Sequence, residues 1–474
     1  MFQTIIGAVS SFMYSKLLVI ILIGAGLYFT IRTRFPQVRL FERACESVME
    51  KPDDKEAISS FQALMVSTAS RVGTGNIVGV SSAICIGGFG SVFWMWVIAI
   101  IGSASALIES TLAQIYKKKG EDGKCYGGPA YYIEAALHCR PLAIVFCIAM
   151  ILTYAFGFNM LASYNLQSTF SGFSFYDPKV SPWIIGGILA VLTGWCLLGG
   201  GSRIVKVTST LVPVMGLAYI GMALIVVIIN IRNVPEMFLR IFEEAFDFKA
   251  IFGAFAGSAM MQGIRRGLYS NEAGIGSAPN ASASANVSHP VKQGLMGAFE
   301  VFADTIVVCS MTGLVVIVTG YWNSGLQGSE LTLTAFESGM GSVARALIAL
   351  SIFLFGLTTS TGWFTYYSVI LKHWLKNNQK VFKIAEKVFI LGTPLWGLLV
   401  TVLTLYGNGT PAQLWVIADF TTVFPTFVNV ATLFILSGTF IKLLKDYKAR
   451  YLGIGKVDED MALFYEDKKA KEEK

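Results

Sequence analysis

Charged residues are scarce in this sequence. Asp, Glu, Lys and Arg make up 14% of its 474 residues, whereas a soluble domain carries about a quarter. Hydrophobic residues account for 54%, and the mean hydropathy is +0.61. The composition therefore excludes a soluble protein with a large core and predicts a protein that is built into a lipid bilayer.

Residues that form catalytic and metal sites are also scarce. There are three histidines, and the sequence contains no HExxH, no Gly-x-Ser-x-Gly and no histidine cluster. The seven cysteines are odd in number and form no CxxC motif. We therefore expect no enzyme, no resident cofactor, no structural metal and no disulfide framework. The net charge of +7 does not indicate nucleic-acid binding, because the positive residues lie in loops between apolar runs.

Apolar runs of about 20 residues recur along the whole chain, and this length spans a bilayer as a helix. Nothing resembles the short alternating strands of a membrane barrel. The first run lacks a basic leader and a cleavage site, so we interpret it as a mature span. The predicted fold class is an all-α polytopic membrane protein with about 11 transmembrane helices, near residues 15–33, 60–88, 91–116, 141–170, 183–201, 208–230, 250–285, 294–320, 343–371, 384–406 and 412–441.

The predicted organisation is one extra N-terminal helix followed by two sets of five helices. Residues 1–59 hold the first helix and a polar surface segment, and residues 60–441 form the membrane core. Within the core, 60–230 is the first repeat and 250–441 the second, while 442–474 is a charged tail, frayed or loosely helical. An odd number of helices per repeat makes the second repeat inverted in the membrane relative to the first.

The distribution of lysine and arginine predicts the orientation. With the N-terminus outside, the inner loops and the tail hold 28 Lys and Arg, whereas the outer segments hold 5. Positive residues accumulate on the cytoplasmic side of membrane proteins. We therefore expect a multi-pass protein of the cell membrane with its N-terminus outside and its C-terminus in the cytoplasm.

Helix-breaking residues fall at corresponding places in the two halves. The first half reads Arg71-Val-Gly-Thr-Gly-Asn-Ile-Val-Gly79; the second reads Gln262-Gly-Ile-Arg-Arg-Gly267 and then Asn271-Glu-Ala-Gly-Ile-Gly-Ser-Ala-Pro279. Backbone groups freed at bilayer depth are tolerated only where they line a cavity or hold a ligand. Such paired interruptions indicate the binding site of a transporter. The alternative is that the glycines only let helices pack closely, which the interleaved Thr74 and Asn76 make weaker.

The same segments resemble the alanine or glycine:cation symporter family, the sodium:alanine symporters, over nearly the whole chain. The most specific stretch runs from Ser270 to Asn280 and continues at His289-Pro-Val-Lys-Gln-Gly294. Also similar are Val72–Ile77, Val92–Trp96, Arg32–Gln37 and the pattern Thr358-Thr359 with Gly362-Trp363. The resemblance implies the fold of the sodium-coupled leucine transporters, with a 5+5 inverted repeat, two broken helices and alternating access.

A bound amino acid needs partners for its carboxylate and its ammonium. The N-terminus of a half-helix supplies free N–H groups and a positive dipole end, so we expect the carboxylate at the amides of Thr74 and Gly75. Asn76 can donate to the carboxylate or present its oxygen to a cation. Freed carbonyls near Gln262 and Gly263 are candidates for the ammonium, although Gln262 is equally suited to an interhelical hydrogen bond.

The sequence also contains candidates for the pocket walls and for the sodium ligands. Phe156 and Trp363 are candidate walls that would limit the pocket to a small side chain; packing or interface anchoring is the alternative for both. The resemblance implies a sodium site at the carbonyls of Ala69 and Val72 and the hydroxyls of Thr358 and Thr359. A bond back to the preceding helical turn is the alternative for the two threonines.

Charged residues inside membrane spans are functional candidates, because each is unfavourable unless it is paired. We expect a gating or ion network near the inner gate in which the neighbouring arginines pair with Glu272, or with two acids four residues apart on one helix face. Arg71 can replace a bound sodium, pair with an acidic substrate, or pair with an acid on another span. The network residues are Arg71, Arg265, Arg266, Glu272, Glu300 and Asp304; Glu109, Arg345 and Asp419 are the other charges in predicted spans.

These features predict a secondary active symporter that takes up a small neutral amino acid, alanine or glycine, together with sodium. Proton coupling through Glu300, Asp304 or Glu272 is the alternative, as is a larger or acidic amino acid as substrate. A channel is disfavoured, because channels repeat their filter loops around an axis. The expected partners are the amino acid, the co-transported sodium and the bilayer. The sequence makes no prediction of oligomeric state.

Overall fold

The computed structural model describes residues 11–50, 57–120, 123–247, 258–376, 378–406, 411–459 and 461–464. Its described residues are helical apart from one two-stranded hairpin, β1 (Lys118–Lys119) with β2 (Cys125–Tyr126), and short connections. This is the result that the lack of backbone partners in lipid requires. The all-α class predicted from the sequence is therefore confirmed.

Twenty α-helices follow one another in the described residues. They are α1 (Val19–Arg32), α2 (Pro36–Arg39), α3 (Phe41–Val48), α4 (Ser60–Arg71), α5 (Val80–Gly87), α6 (Gly90–Ile115), α7 (Pro129–Leu137), α8 (Arg140–Ile151), α9 (Asn159–Phe170), α10 (Ser181–Leu198), α11 (Gly200–Ile229), α12 (Val234–Ala245), α13 (Ala259–Asn271), α14 (Pro279–Ser282), α15 (Pro290–Val301), α16 (Ser310–Val318), α17 (Gly328–Met340), α18 (Ser342–Trp374), α19 (Gln379–Tyr406) and α20 (Pro411–Leu452).

Several of these helices are joined by π-helical turns into longer rods. The turns are Ser11–Leu18 before α1, Gly75–Gly79 before α5, Leu152–Phe158 between α8 and α9, and Phe302–Cys309 between α15 and α16. In a π-helical turn each backbone hydrogen bond spans five residues instead of four, so the side chains that follow point in a new direction. Such turns are frequent at functional sites. Eight rods in the described residues are long and apolar enough to cross a membrane. The count of eleven spans and the inverted repeat stay predictions.

The first predicted interruption is present. Helix α4 ends at Arg71, where Val72 is extended (φ −70°, ψ 100°), and helical structure resumes at Thr74. A Cβ at position 73 would lie 2.7 Å from the hydroxyl of Thr359, so any larger residue would displace that side chain. The break therefore lies in the middle of a buried span and leaves backbone groups without helical partners.

The second interruption lies in the later of the two predicted segments, Asn271–Pro279. Helix α13 is continuous over Ala259–Asn271, so the expectation of a break at Gln262–Gly267 is wrong. The helix ends at Glu272 in the left-handed region (φ 53°), and Gly274 and Gly276 also have positive φ. Gly267 packs on Ile98: a Cβ at position 267 would lie 2.6 Å from Cγ2 of Ile98. The earlier glycines thus serve close helix packing, the alternative considered for them.

The two ends of the chain differ partly from expectation. The surface segment after α1 contains the short helices α2 and α3, whereas residues 51–56 lie outside the described residues. At the other end, α20 continues to Leu452 instead of ending near 441. Residues 453–459 and 461–464 then run without helix, and Met461 and Leu463 pack on the main hydrophobic core.

Candidate substrate and ion site

Asn76 connects the two interruptions. Its Oδ1 accepts a hydrogen bond from the N–H of Gly73 (2.9 Å), which fixes the side chain across the first break. Its Nδ2 donates to the Oγ of Ser270 at the end of α13 (2.7 Å) and to Oδ1 of Asp304 (2.7 Å). One buried amide thus holds together the first break, the helix before the second break and a π-helical turn.

Asp304 lies at the centre of this polar cluster. Its Oδ2 accepts hydrogen bonds from Ser270 Oγ (2.6 Å) and Thr305 Oγ1 (2.9 Å), and its Oδ1 accepts from Asn76. The side chain is 1% exposed. Among the described residues no lysine, arginine or histidine lies within ion-pair distance of it. A buried carboxylate without a cation partner is unusual, which makes the cluster a candidate for a mobile cation or proton.

The second break is held by two buried carboxylates, its own Glu272 and Glu109 of α6. Glu272 accepts hydrogen bonds from Tyr154 Oη (2.8 Å) and Ser277 Oγ (2.6 Å). Glu109 of α6 accepts from the N–H of Gly274 (3.3 Å) and from Nδ2 of Asn429 (2.8 Å). Both carboxylates are buried. The freed backbone of this break is therefore positioned by charged groups that a sequence pattern alone does not pair.

Arg71 lies at the last position of α4 and pairs with Glu300 of α15. Its Nη1 lies 3.4 Å from Glu300 Oε2, and the side chains are 0% and 3% exposed. None of its three guanidinium nitrogens has a hydrogen-bond partner among the described residues. Of the three roles considered for Arg71, the structure contains the pairing with an acid on another span.

The other arginines pair differently than expected. Arg265 and Arg266 both lie 3.9 Å from the carboxylate of Asp419 on α20, and Arg266 also covers the ring of Trp415 at 3.5 Å. The expected partners were Glu272, or Glu300 with Asp304, and that pairing is wrong. The arginines precede the second break by up to seven residues, and α13 packs against α5 and α6. Only one face of a helix contacts a given neighbour, and the face of α13 that carries the two arginine side chains contacts α20.

Aromatic rings enclose the two breaks. Tyr269 packs against Gly75, and its ring lies 4.5 Å from Phe158 and 4.9 Å from Trp415. Trp363 donates from Nε1 to the carbonyl of Ser70 in the last turn of α4 (3.0 Å) and contacts Phe158. Trp363, a predicted wall, thus lies beside the first break.

Phe156, the other predicted wall, lies elsewhere. It is 40% exposed and packs on Trp396 of α19, with ring centroids 5.0 Å apart. Phe158, two residues later, is the phenylalanine that reaches the aromatic cluster. The π-helical turn Leu152–Phe158 changes the helical phase at this point. The structure therefore brings Phe158, and not the predicted Phe156, to the breaks.

The residues predicted to bind sodium gather at the first break. Ala69 and Val72 are buried in and just after the last turn of α4. The hydroxyl of Thr359 has no hydrogen-bond partner among the described residues and is directed towards Gly73. The hydroxyl of Thr358 instead donates to carbonyls of its own helix, at Leu354 and Phe355 (both 3.1 Å).

The remaining predicted residues divide between the break and a helix contact. Thr74 and Gly75 are buried at the start of the helical segment after the first break. Gln262 and Gly263 lie in the first turn and a half of α13: Gln262 packs on Gly87, and a Cβ on Gly263 would lie 2.3 Å from the carbonyl of Ser91. The structure therefore does not bring Gln262 and Gly263 to the second break.

The search against known proteins found one family and several relatives. A model described as the sodium:alanine symporter family matches residues 1–458. The probable sodium/glutamine symporter GlnT of Bacillus subtilis is 39% identical over 449 residues, covering 94% of this chain and 90% of the relative. The sodium/alanine symporter AgcS of Methanococcus maripaludis is 33% identical over 458 residues, covering 94% and 97%.

Solved structures with similar folds are more distant in sequence. MhsT in complex with L-phenylalanine superposes with a TM-score of 0.55 at 14% identity, covering 84% of this chain and 97% of that one. A Na⁺-coupled sialic acid symporter gives 0.53 at 12% identity, covering 94% and 92%. At these identities the similarity shows the fold alone, which is leucine-transporter-like. With the family model spanning almost the whole chain, the protein belongs to the sodium:alanine symporter family.

Proposed function

We propose that this protein takes up a small neutral amino acid, alanine or glycine, together with sodium by alternating access. The observation that carries the proposal is the meeting of two interrupted helices through Asn76, with its bonds to Gly73, Ser270 and Asp304. Such a junction offers unpaired peptide groups to a zwitterion at a depth where a continuous helix offers none.

The substrate carboxylate is proposed to bind at the N-terminus of the helical segment that starts at Thr74. The first N–H groups of a helix have no intrahelical acceptor, and their dipole end favours an anion. The ammonium then faces the carbonyls freed between Glu272 and Ser277. Tyr269 and Trp363 enclose this space, which supports a small side chain. Because the relative GlnT is named as a probable sodium/glutamine symporter, an amino acid with a longer neutral side chain is the alternative substrate.

Sodium is proposed to bind beside the substrate at the carbonyls of Ala69 and Val72 and the hydroxyl of Thr359. Neutral oxygen donors suit a hard monovalent cation, and the hydroxyl of Thr359, which has no hydrogen-bond partner among the described residues, supports this placement. Thr358 contributes through its remaining lone pairs. The contacts of Arg265 and Arg266 with Asp419 lie on the α5 side of the breaks, so in this proposal they gate the outer path instead of the inner gate expected from the sequence.

Proton coupling is the second candidate function, and its support is the buried carboxylate of Asp304, which has no ion-pair partner among the described residues. We propose that the protein lies in the cell membrane with its N-terminus outside, the orientation that the lysine and arginine distribution predicts. In that orientation the α5 side of the breaks faces outward and the α4 side faces the cytoplasm.

Uptake into proteoliposomes tests the proposal directly. With an inward sodium gradient, labelled alanine or glycine accumulates, and a pH gradient alone drives nothing. Asn76→Ala abolishes accumulation, whereas Asn233→Ala, which removes an amide near the end of the bundle, leaves it intact; the thermal unfolding of both variants reports that they are folded. Accumulation driven by pH but not by sodium would replace the proposal with the proton-coupled alternative.

A further inference from the structure

Three cations lie together where the first and last helices reach the same end of the bundle. Arg34 lies just before the short helix α2, Arg39 is its last residue, and Lys448 in the last turns of α20 lies within Coulombic range of both. Arg34 and Arg39 are exposed and Lys448 is half-buried. Like charges repel, so an anion bound between the three cations would be stabilised by all of them.

The protein supplies no such anion within the described residues. The carboxylates of this region are engaged elsewhere: Glu46 pairs with Arg43 (2.7 Å) and Asp446 with Arg450 (2.7 Å). Glu50 pairs with Lys292 (2.8 Å). No salt bridge forms to Arg34, Arg39 or Lys448 in the described part of the chain. The three charges therefore face outward without a protein partner.

The turn that presents them has a conformation that L-residues rarely adopt. Arg34 (φ 63°) and Phe35 (φ 56°) are both left-handed, although neither is glycine. The turn exposes apolar surface next to the charges, because Phe35 is 50% and Val38 60% exposed. Strained backbone of this kind persists mostly where function requires a particular presentation of side chains.

An apolar groove begins at the same turn. It has a volume of about 390 Å³, within the range of roughly 300–1,000 Å³ typical of small-molecule sites. Its walls include Val38, Phe41, Ile100, Phe302 and Ile306. The groove thus runs from the cationic turn along α6 and onto the π-helical turn that carries Asp304.

We propose that this groove and its cations bind one anionic phospholipid. The phosphate lies between Arg34, Arg39 and Lys448, and one acyl chain follows the groove past Val38 to Phe302. The adjoining charge and apolar surface select an amphiphile over a free phosphate, which would use only the cations. The net positive cluster selects an anionic headgroup over a zwitterionic one.

Thermal unfolding of the purified full-length protein in detergent tests the site, with phosphatidylglycerol or phosphatidylcholine of the same chains added. Phosphatidylglycerol raises the Tm, whereas phosphatidylcholine and glycerol phosphate do not. The triple variant R34Q/R39Q/K448Q raises the half-saturating lipid concentration by about two orders of magnitude, since each basic side chain contributes roughly fivefold to the affinity. Native mass spectrometry counts the retained lipid independently.

A matched variant controls for charge. K380Q/K383Q/K387Q removes three exposed lysines from α19 and leaves the phosphatidylglycerol response unchanged. Val38→Trp fills the groove and weakens the response without altering charge, which keeps the test informative if the triple variant does not fold. An equal response of the two triple variants, or an equal effect of phosphatidylcholine, would overturn the proposal.

Discussion

The buried pair of Arg71 and Glu300 provides the sharpest test of the ion site. Glu300→Gln keeps the size of the side chain and removes its charge, so a guanidinium remains alone beside the residues proposed to bind sodium. At 3.4 Å and an effective dielectric constant of about 20, the Coulomb energy of the pair is about 5 kcal/mol. Breaking a buried pair costs about 3–5 kcal/mol, so the variant should unfold at a lower temperature.

The unpaired charge should also weaken sodium binding. With sodium placed roughly 7 Å from the guanidinium, the repulsion would be about 2 kcal/mol at the same dielectric constant, or roughly 30-fold in affinity. The assay is the sodium concentration that half-saturates uptake into proteoliposomes. Glu300→Gln raises it, and the double variant R71Q/E300Q restores it by removing the repelling charge.

A matched surface pair controls for the loss of a carboxylate as such. Glu330 pairs with Arg345 at 2.6 Å and is 30% exposed, and exposed pairs contribute only about 0–1 kcal/mol. Glu330→Gln should therefore leave the half-saturating sodium concentration unchanged. If Glu300→Gln leaves it unchanged as well, or if the double variant is no better than the single one, the placement of sodium beside Arg71 is refuted.

Three further predictions concern individual side chains. Thr359→Val removes the unpartnered hydroxyl and raises the half-saturating sodium concentration about tenfold, while Thr361→Val, whose hydroxyl bonds to its own helix, has no such effect. Gly75→Ala abolishes uptake in a folded protein, because its Cβ would lie 2.5 Å from the ring of Tyr269; normal uptake would contradict the close approach of the two helices. Burial lowers the pKa of His289 to about 4, so protonation favours the unfolded state and stability falls as the pH drops from 6.5 towards 4. His289→Asn keeps an acceptor for the N–H of Val291 and should make the Tm depend less on pH over this range. An unchanged slope of Tm against pH would exclude His289 as the source of the dependence.

Composition and local pattern predicted the fold well, because in lipid the backbone has few options. Runs of about 20 apolar residues can only be helices, and the glycines around Thr74 with the polar residues between them placed the first break correctly. The sequence wrongly added Gln262–Gly267 to the second break, because a glycine in a membrane helix has two uses. Gly263 and Gly267 let α13 approach α6 closely, and only Gly274 and Gly276 adopt positive φ.

The pairing of charges and rings was harder to predict. That Arg71 faces Glu300 while Arg266 faces Asp419 depends on how helices distant in sequence are arranged, and spacing within one helix carries no such information. Phe156 was predicted as a pocket wall, but the π-helical turn Leu152–Phe158 shifts the helical phase and Phe158 contacts the aromatic cluster instead. Ser270 belongs to the family signature, but its part in the Asp304 cluster is visible only from its hydrogen bonds.

The hydrogen bonds around Asp304 discriminate between sodium and proton coupling. Hydroxyls such as those of Ser270 and Thr305 can reverse direction, but the Nδ2 of Asn76 cannot, because its Oδ1 already accepts from Gly73. Oδ1 must therefore stay an acceptor, and the other oxygen takes two donors in the carboxylate form. This arrangement suits a negative charge that a nearby sodium compensates. Asp304→Asn, which the reversible hydroxyls can accommodate, should then lose sodium dependence of amino-acid binding while remaining folded, and uptake by the unmodified protein should not require a pH gradient. Sodium-dependent binding that survives in Asp304→Asn would contradict this reasoning and assign Asp304 a purely structural role.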